Sequence, residues 1–327
     1  MSKGSILILY NEVNEKSAKD ELDVLYQVNA VSAALEQLDF SVSKQPLSKN
    51  PSGMFETLEN TKPLIFNLVE SVAGSGKLSY LFPSMLEALK LKYTGNSAEV
   101  LLLTSDKVLT KKLLKSCGIA TPQWITARDE NGFTIGDRYI VKPIYEDGSI
   151  DLDQNSIVTM ESVPQAREIL SAMAEKNGEE FFAEKYIEGR EINVSLLQEN
   201  GKPLLLPPTE IKFVGYKEKH IDEIFDYRSK WDTNSFGFKH AVSSCVFEDQ
   251  DKPLLNELKE IAEKCWNEFG LKSYARIDFR IDKEGKPWVL EINANPCITP
   301  GDSSFLRSAT QGGLDFSDVV NRIISAV

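Results

Sequence analysis

Histidine is almost missing from this chain. His220 and His240 are the only two. They are too few for a histidine metal centre, and a His-based triad would have only these to draw on. Cysteine is scarce too. The four, Cys117, Cys245, Cys265 and Cys297, form no CxxC pair and follow no regular spacing. They read as reduced thiols in a cytoplasmic protein rather than as a disulfide or zinc framework. No apolar run approaches the roughly 20 residues that a membrane span requires. The apolar core of residues 1–10 is too short for a signal peptide, and an acidic, polar run follows it. Basic charge is in deficit: 37 Lys and Arg stand against 49 Asp and Glu, a net −12. An acidic surface repels phosphate backbones, which argues against nucleic acid as a partner. A phosphate-bearing ligand would have to be gripped by locally placed lysines and metal ions.

Familiar nucleotide motifs are absent as well. Ala73-Gly74-Ser75-Gly76-Lys77 is not a Walker loop, because Ser71 occupies the first glycine position and Leu78 follows the lysine. Nor is it a dinucleotide fingerprint, since Ser79 stands where the third small residue belongs. No Gly-x-Ser-x-Gly elbow occurs.

What is present is ordinary globular composition, 42% hydrophobic and 26% charged over 327 residues. Residues 6–10 and 64–69 read as buried strands. Leu22, Leu25, Val28, Val31, Leu35 and Leu38 recur at helical spacing, and residues 78–91 read as another helix. Alternating strands and helices predict an α/β lobe with a parallel sheet over 1–95. A central lobe follows over 96–186, with a helix over 104–116, a strand over 138–141, a helix over 163–177 and a strand over 181–186. Residues 187–327 form a third, strand-rich lobe. It contains a long polar stretch, 212–239, whose length suits a lid.

Two segments of the third lobe carry chemistry. Ala275-Arg276-Ile277-Asp278-Phe279-Arg280-Ile281 alternates strictly, and so does Trp288-Val289-Leu290-Glu291-Ile292-Asn293. With residues 283–286 as the loop, Asp278 faces Glu291 and Arg276 faces Asn293. A slip of one residue would put the apolar set on the wrong face. Opposed carboxylates repel unless a cation lies between them. Two carboxylates and an amide oxygen suit a hard ion such as Mg²⁺. The same residues, alone, equally fit a solvated surface hairpin. Lys142 ends a strand before the small turn Glu146-Asp147-Gly148-Ser149, whose backbone N–H groups and serine could meet phosphate. An ordinary β-turn looks the same. Glu184, Lys185 and Glu191 flank another turn, where solvated charge is the plainer reading.

In order and spacing these segments resemble the D-alanine–D-alanine ligase family of ATP-grasp enzymes. The matching stretches are Thr104-Ser105-Asp106-Lys107, Tyr139-Ile140-Val141-Lys142-Pro143, Glu184-Lys185-Tyr186-Ile187-Glu188-Gly189-Arg190-Glu191, Asp226-Tyr227-Arg228-Ser229-Lys230-Trp231, Arg276-Ile277-Asp278-Phe279 and Leu290-Glu291-Ile292-Asn293-Ala294-Asn295-Pro296. The resemblance implies an ATP-grasp fold whose two later lobes sandwich ATP. By it, Lys107 and Lys142 hold phosphates under the 146–149 loop with Ser149. Glu184, Lys185 and Ile187 frame the adenine, and Glu191 takes the ribose. Lys230 reaches the terminal phosphate from the lid. Asp278, Glu291 and Asn293 carry two Mg²⁺ ions, with Mn²⁺ as the alternative. Phe279 and Leu290 pack on the base if their face lines the nucleotide. Arg276 stabilises the oxyanion, with the Cys297 N–H. The implied reaction joins a carboxylate to an amine through an acyl phosphate, with amino acids or small peptides as substrates. Alternatives are a genuine D-alanine–D-alanine ligase and an ATP-binding regulator without catalysis. Relatives also form homodimers through the N-terminal lobe.

The substrate half departs from that pattern. The family usually has His-Gly where this chain has Val69-Glu70, a serine where Gly148 stands, and a tyrosine where Trp231 stands. The serine that receives a substrate carboxylate falls near Asp302, or Ser303 and Ser304. Asp20, Glu21 and Asp23 are alternatives for holding a substrate ammonium. Glu70, Asp302 and Ser303 are the remaining substrate-side candidates.

Overall fold

The computed structural model describes residues 3–48, 51–301 and 303–327. The chain opens with β1 (Ser5–Asn11), α1 (Lys19–Gln37), β2 (Ser41–Leu47), α2 (Ser52–Thr61) and β3 (Leu64–Leu68). β1 lies between β2 and β3 and runs parallel to both. The buried stripe of α1 is Val24, Val28, Val31 and Leu35, while Leu25 is exposed. Val24 thus takes the place that the spacing gave to Leu25. α3 (Leu81–Ala88) is shorter than the helix expected over 78–91. Pro83 has no N–H and fits only a first turn, which fixes the start near Leu81.

α4 (Ala98–Ser105) and α5 (Lys107–Ser116) divide the run expected as one helix. Asp106 breaks it by accepting from the N–H groups of Val108 and Leu109, capping α5. The second sheet is antiparallel. It comprises β4 (Trp124–Thr126), β5 (Glu130–Asn131), β6 (Arg138–Pro143), β7 (Ile157–Thr159) and, after α6 (Val163–Asn177), β8 (Phe181–Lys185), in the order β5-β4-β8-β6-β7. The bounds of α6 follow from its caps. Ser162 accepts from the Gln165 N–H, a proline sits in the first turn, and Gly178 closes the helix at φ 76°.

The third sheet has β9 (Arg190–Glu199), β10 (Lys202–Leu205) and β11 (Thr209–Phe213). Beyond the short helices α7 (Tyr227–Trp231) and α8 (Phe236–His240) it gains β12 (Ala241–Ser244), and after α9 (Lys252–Phe269) it gains β13 (Tyr274–Ile281) and β14 (Pro287–Asn293). Its order is β12-β11-β9-β13-β14, with β10 on β9. α10 (Ser304–Gln311) and α11 (Phe316–Ser325) end the chain.

Two cores tie these sheets together. Val100, Leu101, Leu114 and Ile119, from α4, α5 and the turn after them, pack with Leu258, Trp266 and Phe279 of the third sheet's layer. Ile6, Ile8 and Phe66 of the first sheet and Val28 of α1 pack with Phe305, Val319, Val320 and Ile323 from α10 and α11. The walls of the cleft between the sheets are therefore held by shared apolar packing. No described helix is long and apolar enough to cross a membrane.

Candidate active site

A cleft of about 2280 Å³ opens where the sheets meet and takes residues from all three. Its floor is the β13–β14 hairpin. Asp278 pairs with Glu291 and Arg276 with Asn293, the register that the alternation predicts. Two details differ. Ile281 pairs with Pro287, so the loop is 282–286, one residue longer than expected. A β-bulge between Asp278 and Phe279 restores the register, and Leu290 is left as the extra residue. The bulge turns Leu290 into the cleft and buries Val289 in the core instead. Phe279 is fully buried in the apolar core behind the sheet and does not line the cleft. A base contact by Phe279 is thereby corrected, because strict alternation on β13 points it away.

Glu291 is the electrostatic centre of the floor. Burial pushes its carboxyl up, but Lys107, Lys142, Arg276 and Lys230 outweigh that and hold it at about 2. The four cations come from α5, β6, β13 and α7, so four elements converge on one carboxylate. Lys107 donates to the Glu146 carbonyl at 2.7 Å and to Asp147 Oδ1 at 3.0 Å, anchoring the 146–149 loop. Lys230 reaches in from α7. Its burial and the neighbouring Arg276 guanidinium lower its pKa.

Arg276 grips Asp278 with two hydrogen bonds of 2.7 Å and also points at Ser304 Oγ at 3.5 Å. Asn193 Nδ2 adds a third donor to Asp278 Oδ1 at 2.7 Å. Burial, then the facing Glu291 charge, raise the Asp278 pKa against the pull of Arg276. Asn293 Oδ1 accepts from the Asn295 N–H at 2.9 Å. Among the described residues no group of three or more His, Cys, Asp or Glu side chains is placed for a metal ion. The available set is two carboxylates and an amide. All three donors are oxygens, two face each other across the hairpin, and a guanidinium already binds one of the two carboxylates. That donor chemistry fits Mg²⁺ or Mn²⁺.

The segment expected at the base joins a buried ion pair. Glu184 meets Lys142 at 2.5 Å on one oxygen and Lys111 on the other. Lys185 turns to Asp137 at 2.6 Å. Ile187 and Glu191 are linked through Arg280, which donates to the Ile187 carbonyl at 3.0 Å and to Glu191 at 3.3 Å. Ser149 Oγ donates to the Phe225 carbonyl at 2.7 Å, joining the 146–149 loop to the 212–239 stretch.

On the opposite wall the acids divide. Asp20 accepts from Tyr227 Oη at 2.9 Å. Asp23 accepts from Thr299 Oγ1 at 2.7 Å and from Gln27 at 3.3 Å. Glu21 caps α1 through the Ala18 N–H at 2.8 Å. Glu70 lines the cleft, reachable by its water. Desolvation between the walls, then Asp23, Asp147 and Asp20, push its carboxyl up to about 7. Ser303 caps α10 and donates to the Cys297 carbonyl, so its hydroxyl is already engaged. Asp302 lies outside the described residues.

Sequence reading missed Lys111, Asn193 and Arg280. Asn193 stands two residues after Glu191 on β9, so strand alternation could have found it. Arg280 shares the face of Asp278 by the same rule. Lys111 lies four residues after Lys107, one helical turn on, among other lysines that gave it no distinction.

A cleft lined with lysines between two later sheets, behind a parallel N-terminal sheet, is the architecture of an ATP-grasp protein. The structure of D-alanine–D-alanine ligase from Bacillus anthracis complexed with ATP superposes with a TM-score of 0.73 at 21% identity, over 98% of this chain and 96% of that one. The D-ala D-ala ligase C-terminus model matches residues 113–325. The D-alanine–D-alanine ligase of Aquifex aeolicus is 30% identical over 74% of this chain and 75% of its own length. An uncharacterized protein, y4sG, of Sinorhizobium fredii is 28% identical over 90% of this chain and 85% of its own. The chain belongs to the D-alanine–D-alanine ligase family of ATP-dependent, ADP-forming ligases.

Proposed function

We propose that this protein joins the carboxylate of one amino acid or small peptide to the amine of another through an acyl phosphate. The observation that carries this reading is the convergence of Lys107, Lys142, Arg276 and Lys230 on Glu291. Four cations from four elements, gathered in an otherwise acidic protein, match the charge of a triphosphate far better than that of one carboxylate.

Lys107 and Lys142 would hold the phosphates, and Lys230 would close on the terminal one from the lid. Glu184, Lys185 and Ile187 would frame the adenine, with Glu191 on the ribose and Leu290 beneath the base. Asp278, Glu291 and Asn293 would hold Mg²⁺, which when bound neutralises phosphoryl charge. The substrate carboxylate attacks the γ-phosphorus, the bond to ADP breaks, and an acyl phosphate forms. The amine then attacks that carbonyl, phosphate leaves, and the amine gives up a proton. Arg276 would take the tetrahedral oxyanion, releasing part of its grip on Asp278.

The amine side is proposed at Asp20, Asp23 and Glu70, a wall of carboxylates facing the cation cluster. Gly148 and Trp231 stand where D-alanine ligases carry a serine and a tyrosine, and Glu70 departs from their pattern too, so the product need not be D-alanyl-D-alanine. The test is a matrix of amino acids with ATP and Mg²⁺, read by ADP release and product mass. ADP release should require both a carboxylate and an amine, and Asp278→Ala or Glu291→Ala should abolish it. Unchanged rates in both variants would overturn the assignment. Robust D-alanyl-D-alanine formation would overturn the substrate reading alone.

A further inference from the structure

Lys111 is a charged side chain with no route to the cleft. It is 0% exposed. Its ammonium pairs with Glu184 and donates to Thr121 Oγ1 at 2.9 Å. Glu184 is itself 1% exposed, and its other oxygen meets Lys142 at 2.5 Å. Of the two lysines only Lys142 lines the cleft. One carboxylate therefore has a partner that opens on the cleft and one that is walled off from it.

The two partners have different prospects. Lys142 also lies close enough to Glu291 to lower its pKa, so it is shared between the base end and the phosphate end of the cleft. When Lys142 turns to a phosphate, a buried Glu184 with no other cation would take up a proton, because an isolated buried carboxylate is strongly disfavoured. It would then present an O–H donor. With Lys111 in place it remains an acceptor. A purine 6-amino group offers a donor, whereas a 6-oxo group offers an acceptor. An ionised Glu184 can only accept and so offers nothing to a 6-oxo group, whereas a protonated one also offers a donor, so its ionisation shifts which purine it favours.

We infer that Lys111 is a positioning residue for nucleotide selection: it keeps Glu184 ionised, so that the site takes a 6-amino purine and refuses a 6-oxo purine. This rests on the proposed contact of Glu184 with the base. The groups that face Glu184 are Lys111 from α5 and Lys142 from β6, with Glu291 of β14 acting on both lysines. Burial lowers the Lys111 pKa while the Glu184 charge holds it up, as a mutually dependent pair requires.

The test compares binding of ATP and inosine triphosphate, which differ at the 6-position, by calorimetry with Mg²⁺. Wild type should prefer ATP with a ratio that stays flat between about pH 6 and 8. Lys111→Met should lower that ratio by roughly tenfold or more, with recovery as pH rises, whereas Lys111→Arg should retain it. An unchanged ratio in a folded Lys111→Met variant would overturn the inference. So would a wild-type ratio that climbs with pH, and that measurement needs no variant. Glu184→Gln separates the two levels: if it leaves the ratio untouched, the base contact itself is wrong. Binding is read without turnover, so neither result depends on the ligase assignment.

Discussion

The indole N–H of Trp231 donates to the carbonyl oxygen of Gly148 at 3.3 Å, joining α7 to the 146–149 loop. These are two positions at which the sequence leaves the family pattern, and they touch. Gly148 has φ 69°, with open space where a Cβ would sit. A serine there would fit sterically but cost about 1 kcal/mol in the left-handed conformation. Trp231→Phe keeps the ring and loses the donor. It should raise the KM for ATP several-fold with little change in thermal stability. An unchanged KM would separate this contact from nucleotide binding.

A second contact ties α7 across the cleft. Tyr227, one turn before Trp231 on α7, donates to Asp20 on the far wall at 2.9 Å. Residues 212–239 should be cut by protease in the free protein and protected by ATP with Mg²⁺. Tyr227→Phe should leave them cleavable at nucleotide concentrations that protect wild type. Equal cleavage in both proteins would count against a latch at this position.

Glu70 sets a pH dependence with a definite sign. Its carboxyl is raised from 4.5 to about 7 in the folded chain. The native state then binds the proton more tightly than the unfolded chain does. Stability should be greatest below the unfolded value and fall as pH rises through that window. Glu70→Gln should flatten this slope and raise Tm above neutral pH. A substrate ammonium prefers the ionised form, so the amine KM should fall as pH rises through 7 and lose that dependence in the variant. A wild-type amine KM flat with pH would remove Glu70 from the amine site.

Gly189 enters β9 at φ 146°, and a Cβ there would lie 1.9 Å from the Ile281 carbonyl oxygen. That contact is with backbone in the paired strand, so no side chain can move aside. Gly189→Ala should cost at least about 3 kcal/mol or prevent folding, measured by denaturant unfolding. A variant within 1 kcal/mol of wild type would mean that the β9–β13 edge yields more readily than its geometry implies.

Much of this site was legible because β-strands repeat every two residues. The parity of Arg276, Asp278, Glu291 and Asn293 followed from alternation, and the hairpin keeps it. It does so by a route that alternation could not show: a loop one residue longer is offset by the bulge at Leu290. Bulges depend on packing across the sheet, so Leu290 and Phe279 could not be told apart beforehand. Caps were also readable. Ser162 and Gly178 bound α6 where the sequence places it, whereas Asp106 splits α4 from α5 inside a run that reads as one helix. Contacts between distant segments were not. Trp231 with Gly148, Tyr227 with Asp20, and Lys111 with Glu184 each join residues far apart in sequence, brought together only by the closing of sheets on a common cleft.

The acyl phosphate is the step on which the ligase reading stands, and oxygen transfer tests it directly. The carboxylate substrate identified by amine-dependent ADP release would be labelled with ¹⁸O in both oxygens, and the released phosphate weighed by mass spectrometry. Attack of the carboxylate on the γ-phosphorus predicts one ¹⁸O in each phosphate, matched to amide formed. Unlabelled phosphate alongside full amide formation would contradict it.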